Sequence, residues 1–335
     1  MLRVGIVGVS GFTGLELVKL LLHHPLVEID YLSARSHVGQ PLSDIFPSLK
    51  NICDKIIEPI DENRLSKLDV VFLALPHGIS MEFVCKLFGK VRIIDLSADF
   101  RLPKDLYEKW YKPHLCPNLI KEAVYGLPEL NREKIKKAKL IANPGCYATA
   151  SILAILPFLD IIESDVIIDA KSGVSGAGKS LREDLLFSEV ESSFKAYSVA
   201  KHRHQPEIEY TLSLVEPVKV TFVPHLLPIN RGILATVYAK LKGFFDESYL
   251  YEKLEKFYRN EFFIRVSKSL PQINNISGTN FCDISFALDK ENNRLIILSV
   301  VDNLLKGASS QALQNMNIMF GLKEEEGLKL KPYYP

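Results

Sequence analysis

Leu2-Arg3-Val4-Gly5-Ile6-Val7-Gly8 reads as a buried strand running into glycine. Gly8-x-x-Gly11-x-x-Gly14 follows, and Leu15–Leu22 then reads as an apolar helix. Strand, glycine-rich turn and helix in this order form the context of a dinucleotide-binding crevice. The glycines permit a tight turn, and they let backbone amides at the helix N-terminus approach a pyrophosphate. The spacing is GxxGxxG rather than GxGxxG, so the context carries the argument more than the pattern does. Ser10 and Thr13 add hydroxyl donors to the turn.

Further βα units extend this start. Val27–Leu32 is a second strand, followed by Ser33-Ala34-Arg35-Ser36. In a dinucleotide fold the end of this strand faces the adenosine ribose, where an acid takes the 2′-hydroxyl and an arginine accommodates a 2′-phosphate. Ser33, Arg35 and Ser36 therefore point to NADP. Asp69–Leu75 is an all-apolar strand ending in Pro76-His77-Gly78, and Ile79–Phe88 reads as a helix. Val91–Leu96 is another strand, and Arg101 lies just beyond it, where crevice residues of such sheets belong. The repetition predicts a doubly wound parallel sheet. Residues 103–135 look like an irregular excursion, rich in Pro, Tyr and Lys.

A short strand, Ala138–Ala142, leads to Asn143-Pro144-Gly145-Cys146, and a helix pattern begins at Ala148. This places a thiol on a tight turn at a helix N-terminus. Backbone N–H groups and the helix dipole stabilise a thiolate there, and the same amides can hold an oxyanion.

After Cys146 the pattern changes. Asp165–Ala170 is a strand, and Gly173–Ser180 matches the phosphate-loop pattern GxxxxGKS, with Leu181–Val190 as a plausible helix behind it. The match lies mid-chain, after a complete set of βα units, with no regular alternation following. We read it as a Gly/Ser-rich loop of the active site. His202-Arg203-His204-Gln205-Pro206-Glu207 offers a general acid or base and an anion contact. Val218–Phe222, Ile233–Leu241, Phe263–Val266, Asp283–Leu288 and Arg294–Val301 suggest a largely antiparallel sheet, with a helix at Tyr249–Asn260. Ala308–Phe320 closes the pattern as an apolar helix stopped by Gly321.

Composition narrows the class. A net charge of +1 over 335 residues gives no bulk electrostatic case for nucleic acid or an anionic membrane. No apolar run approaches the span of a bilayer, and the chain opens on a strand pattern rather than a signal segment. The five cysteines are scattered, without CxxC or His–Cys ligand spacing. That set fits a reducing, cytoplasmic setting and argues against structural zinc, so no metal is expected.

Gly5–Gly14 (GIVGVSGFTG), Ser97–Leu102 (SADFRL), Asn143–Tyr147 (NPGCY), Ser172–Gly178 (SGVSGAG), His202–Glu207 (HRHQPE), Pro224–Gly232 (PHLLPINRG) and Asp302–Asn317 (DNLLKGASSQALQNMN) span nearly the whole chain. Together they resemble the N-acetyl-γ-glutamyl-phosphate reductase family of arginine biosynthesis, in its longer form. The resemblance implies an α/β protein with an N-terminal Rossmann-type NADP domain (1–145). It implies a glyceraldehyde-phosphate-dehydrogenase-like α+β catalytic and oligomerisation domain (146–300), and a C-terminal helix (301–335) returning to the first domain. It implies Cys146 as nucleophile and a histidine of the HRH motif as acid or base, without separating His202 from His204. Cofactor contacts would come from Gly8, Ser10, Gly11, Phe12, Thr13, Gly14, Leu75 and Pro76, and from Ser172, Gly173, Ser175, Gly176, Asn303 and Lys306. Substrate contacts would come from Ser97, Arg101, Asn143, Arg203, Glu207 and Arg231, three of them arginines suited to phosphate and carboxylate. Phe12 stands where the family commonly has tyrosine, and Ala148 where it commonly has proline. A homodimer or homotetramer is expected.

The implied reaction is NADPH-dependent reduction of N-acetyl-γ-glutamyl phosphate to the semialdehyde with release of phosphate. Two other acyl-phosphate activities stay open: reduction of a carrier-bound aminoadipyl phosphate in lysine biosynthesis, and aspartate-semialdehyde dehydrogenase. A phosphate-loop nucleotidase and a cofactor-binding sensor stay open from other classes, but the sensor leaves Cys146 and the histidines unexplained.

Overall fold

A computed structural model describes Met1–Tyr333. The chain divides into two compact units, Met1–Pro144 with Ala308–Lys329, and Gly145–Gly307 with the residues from Leu330 onward.

The first unit is built on six strands: β1 (Leu2–Val7), β2 (Val27–Ser33), β3 (Val70–Leu73), β4 (Arg92–Asp95), β5 (Ala123–Tyr125) and β6 (Leu140–Ala142). They lie in the order β2-β1-β3-β4-β6-β5, and every pairing is parallel. β3 is buried along its whole length and β4 over three of its four residues, as strands covered on both faces must be. Strand order reverses at β1, with β2 on one side and β3 on the other. The glycine turn therefore sits at the switch point where such sheets bind ligands. Residues 103–135 are more regular than expected. They contain the helices Lys104–Trp110 and Pro128–Ile135, and β5, which adds an edge strand beside β6. The helix Ser309–Met319 belongs to this unit. Ser309 Oγ donates to the Thr13 carbonyl at 3.0 Å, and Asn317 Oδ1 is 3.1 Å from His24 Nε2.

The cysteines correct the expectation of unpaired thiols. Cys85, on the helix Ser80–Leu87, is bonded to Cys116 at the head of the 3₁₀ turn Pro117–Glu122. Cys53, Cys146 and Cys282 are outside any disulfide.

The second unit carries β7 (Ile162–Gly173), β8 (Lys195–Ala196), β9 (Lys219–Leu227), β10 (Ile233–Leu241), β11 (Ile264–Val266), β12 (Cys282–Asp289) and β13 (Arg294–Val301). Their order is β11-β12-β13-β10-β7-β9-β8. The sheet is mixed. β10 pairs antiparallel with β7 and β13, whereas β7 with β9 and β11 with β12 are parallel. The segment between β7 and β9 explains the departure, because it carries the helix His204–Ser213, and a crossover of that length lets consecutive long strands run the same way. One face of the sheet is the core, with Val166, Ile168, Ala235, Val237, Ile284 and Ile297 fully buried. The helix Cys146–Ile155 packs on β10 and β13, and from Tyr147 to Ile155 every residue is buried, which accounts for its lack of a polar face. Ile167, Tyr238 and Ile296 form a cross-strand row on the opposite face, and Ile167 is 46% exposed.

Among the described residues no helix is long and apolar enough to cross a membrane, and no group of three His, Cys, Asp or Glu is placed to hold a metal ion.

Candidate active site

In the first unit, the turn after β1 is shaped by close backbone approach. Gly8 has φ +99°, and a Cβ there would lie 2.3 Å from the Ala74 carbonyl oxygen after β3. A Cβ on Gly14 would lie 2.3 Å from the Gly8 carbonyl oxygen. At Gly11, by contrast, the nearest atom to such a Cβ is 3.7 Å away, so the middle of the turn is open. The helix Phe12–Leu22 starts there with no side-chain cap, and the unsatisfied amides of a helix's first turn suit a phosphate. These residues fit the pyrophosphate of a dinucleotide. Leu75 and Pro76 follow Ala74 in the loop beside the turn.

Ser10 Oγ and Ser36 Oγ are 3.5 Å apart, which brings the ends of β1 and β2 together at the crevice. Arg35 is exposed and paired with Glu82 at 3.6 Å. Ser33, expected as a cofactor contact, lies inside. Its side chain is fully buried, and its carbonyl accepts from Gly8 N at 2.7 Å and Val9 N at 3.3 Å, so it fixes the glycine turn.

The SADFRL segment is a buried network. Asp95 accepts from Ser80 Oγ at 2.5 Å, Ser97 N at 2.9 Å and Ser97 Oγ at 2.8 Å. Burial, followed by the nearby Asp99 charge, pushes its pKa up to about 6. Asp99 accepts from Gly78 N at 2.6 Å, Met81 N at 3.0 Å and Tyr107 Oη at 2.8 Å. Arg101 is buried too, with Nε donating to the Asn143 carbonyl at 2.7 Å and Nη2 to the Leu96 carbonyl at 2.8 Å. Asn143 donates to the Ala308 carbonyl at 3.0 Å and accepts from Asn315 Nδ2 at 3.1 Å. Arg101 and Asn143 thus hold the segment that leads to the cysteine, while Ser97 is held by Asp95. These three residues, expected among the substrate contacts, are buried, with polar atoms shared among backbone carbonyls and the Asp95 and Asn315 side chains.

In the second unit, Cys146 is the first residue of its helix and is half-buried. Glu207, fully inside the helix His204–Ser213, accepts from Gly145 N at 2.8 Å. Its expected place was on the substrate. Instead its carboxylate anchors the residue before the thiol. The His204 ring lies directly on the same turn, since a Cβ on Gly145 would be 2.5 Å from His204 Nε2. Only glycine leaves that space.

His202 is placed differently. Its ring packs against Tyr147 at 5.5 Å, Tyr197 at 5.6 Å, Phe222 at 5.3 Å and His204 at 4.8 Å. Its Nδ1 accepts the His204 backbone N–H at 3.1 Å. Burial, then the neighbouring His204, lowers its pKa to about 3, so it is neutral at physiological pH. Tyr197 Oη donates to Tyr147 Oη at 3.2 Å, and Tyr147 Oη to the His225 carbonyl at 3.2 Å. Burial raises the pKa of both phenols, that of Tyr197 to about 12. Arg203 is exposed at the head of its helix, beside the histidines.

Three loops converge beside Cys146. A Cβ on Gly307 would lie 2.8 Å from Cys146 Cβ and 2.7 Å from the Asn303 carbonyl oxygen, so Gly307 lets this loop touch the cysteine. No local pattern marks that role, because the contact joins residues far apart in the chain. Asn303 accepts from Gly232 N at 2.7 Å and donates to Ser175 Oγ at 2.9 Å. A Cβ on Gly173 would lie 2.6 Å from the Asn230 carbonyl oxygen, and one on Gly176 3.1 Å from Ser172 Oγ. Arg231 is mostly buried, with Nε 3.6 Å from Asp302 Oδ2. Lys306, expected near the cofactor, follows Asn303 in the same loop. It is fully buried, with its ammonium 5.8 Å from the centre of the Phe263 ring. The phosphate-loop reading also lacks its helix. Val174–Ala177 is a 3₁₀ turn, and Leu181–Val190 contains only a second such turn and the four-residue helix Phe187–Val190.

A parallel nucleotide-type sheet in one unit and a helix-terminal cysteine beside a histidine in the other describe a semialdehyde dehydrogenase. Family models agree, since residues 3–138 match the semialdehyde dehydrogenase NAD-binding domain and residues 146–303 its dimerisation domain. The chain belongs to this family of oxidoreductases, and its first unit is of the kind that binds a nicotinamide cofactor. Within the family it is 49% identical to N-acetyl-gamma-glutamyl-phosphate reductase of Clostridium novyi, covering 98% of this chain and 99% of that one. It is 46% identical to the enzyme of the same name from Thermoanaerobacter pseudethanolicus over the full length of both. Aspartate semialdehyde dehydrogenase II of Vibrio cholerae, solved in complex with ASA, shares the fold with a TM-score of 0.73 at 15% identity, covering 96% of this chain and 98% of that one.

Proposed function

We propose that this chain reduces N-acetyl-γ-glutamyl phosphate to N-acetylglutamate 5-semialdehyde with NADPH, releasing phosphate, in arginine biosynthesis. The observation that supports the chemistry is the His204 ring lying on Gly145, next to Cys146. The choice of substrate rests on the relatives' names and their full-length similarity.

Cys146 sulfur attacks the acyl carbonyl as thiolate, the C–O bond to phosphate breaks, and a thioester remains on the protein. First-turn amides of the helix Cys146–Ile155 hold the oxyanion. The nicotinamide, when bound, supplies a hydride to the thioester carbon. His204 protonates the resulting oxyanion. The C–S bond then breaks, the hydroxyl proton returns to His204, and the aldehyde leaves with sulfur as thiolate. His202 is a positioning residue: neutral, packed among aromatic rings, its Nδ1 holds the first amide of the helix that carries His204. Arg203 and Arg231 are the arginines of this unit assigned to the substrate's anionic groups. Gly8–Gly14, Ser10, Ser36 and Arg35 would hold the cofactor, with Arg35 at the 2′-phosphate.

A second copy of this chain is the proposed partner. The row of exposed Ile167 and half-buried Tyr238 and Ile296 gives the second unit an apolar sheet face, in the part that matches a dimerisation domain.

The reverse reaction tests the function. N-acetylglutamate semialdehyde, NADP and phosphate should yield NADPH, with strict dependence on phosphate. A much faster reaction with aspartate semialdehyde, or with a carrier-bound aminoadipate semialdehyde, would overturn the substrate assignment and leave the chemistry standing.

A further inference from the structure

The Arg35–Glu82 pair has no place in the reaction, yet it stands where the cofactor's adenosine end is assigned. Arg35 follows β2, and Glu82 lies in the first turn of the helix Ser80–Leu87, which follows β3. β2 and β3 flank β1 on opposite sides, so the pair reaches over the C-terminal end of β1. The two groups are 3.6 Å apart and 55% and 45% exposed, so both are open to a ligand from solvent. Ser10 and Ser36, 3.5 Å apart, mark the same edge of the crevice.

We propose that Glu82 sets the discrimination between NADP and NAD. The proposal rests on the assignment of Arg35 to the 2′-phosphate. A 2′-phosphate arriving at Arg35 meets a guanidinium already paired with a carboxylate. Two like charges then share one cation, and the carboxylate repels the phosphate over a few ångströms. With NAD the situation reverses. A ribose 2′-hydroxyl is a donor, and a carboxylate is the group that accepts it. The one pair therefore offers an attraction to each cofactor, and Glu82 holds the preference for NADP below what Arg35 alone would give.

The test is a set of fluorescence titrations of the full chain with NADPH and NADH, on wild type, Glu82→Gln, Arg35→Ala and the double variant. Glutamine keeps the shape of the side chain and removes its charge. Glu82→Gln should tighten NADPH by about three- to tenfold while leaving NADH unchanged or weaker, as removing one half-exposed charge implies. That gain should vanish in the Arg35→Ala background. If Glu82→Gln weakens NADPH, or tightens both cofactors alike, Glu82 is not the selector. If Arg35→Ala loses NADPH and NADH equally, the assignment of Arg35 to the 2′-phosphate fails first.

Discussion

His202 and His204 differ in what surrounds each ring. Tyr147, Tyr197 and Phe222 enclose His202, and that burial holds its pKa near 3. The family resemblance implied a histidine of the HRH motif without separating the two, because the separation depends on Phe222 of β9 and on the Gly145 turn, both distant in the chain. Cys146 was legible from its local turn and helix signals. The burial of Ser33, Arg101 and Glu207 was not, since a polar residue in a motif reads the same whether it meets substrate or backbone. His204→Gln should lower kcat by about a hundredfold to ten-thousandfold, the usual worth of a positioned acid or base. His202→Asn keeps an acceptor for the His204 amide and should lose less than about tenfold. Steady-state kinetics on both variants decide this, and equal losses would contradict the division of roles. His202 also has a pH signature. Its folded pKa lies below its ordinary value of 6.5, so the unfolded chain binds the extra proton between pH 6.5 and 3. Its contribution to stability is complete above 6.5 and is lost as pH falls through that window. Asp95, raised to about 6, acts oppositely, and its contribution is lost as pH rises from about 4 to 6. Denaturant unfolding of His202→Asn should show a flatter loss toward acid than wild type, and an unchanged slope would contradict the burial argument.

Among the elements, the strands of the first sheet were legible because apolar runs end in Gly, Pro or Ser, and two of them, β1 and β3, are followed by a helix pattern. Residues 103–135 were not, since β5 is three residues long and earns its place by pairing with β6. The parallel pairing of β7 with β9 was also hidden, because strand composition does not report direction. The disulfide lies at this scale too. Cys85 and Cys116 are 31 residues apart and meet because the excursion folds back onto the helix Ser80–Leu87. Closing a loop of that length restricts the unfolded chain by about 3–4 kcal/mol. Cys85→Ser, or reduction with dithiothreitol, should therefore lower the thermal midpoint of the first unit, read by calorimetry. Cys282→Ser should show no further change on reduction beyond that of wild type, because Cys282 forms no disulfide. A midpoint indifferent to reductant in every variant would contradict the pairing.

For the whole molecule, the return of Ala308–Lys329 to the first unit was expected only from the family resemblance, because nothing in that helix's own pattern names its partner. The proposed self-association uses the apolar face of the second sheet. A charge at the most exposed position of an apolar row opposes its burial, so Ile167→Asp should shift sedimentation from dimer toward monomer without changing the circular dichroism. A dimer unchanged by the substitution would place the interface elsewhere. The central claim is covalent chemistry at Cys146, and the most direct measurement withholds the cofactor. Mixed with N-acetyl-γ-glutamyl phosphate alone, the protein should release a single equivalent of phosphate per chain in a burst and gain the N-acetylglutamyl mass. Peptide mapping should find that mass on Cys146, and Cys146→Ser should show neither burst nor adduct. Release of phosphate with no adduct, or reduction by Cys146→Ser at near the wild-type rate, would contradict the account.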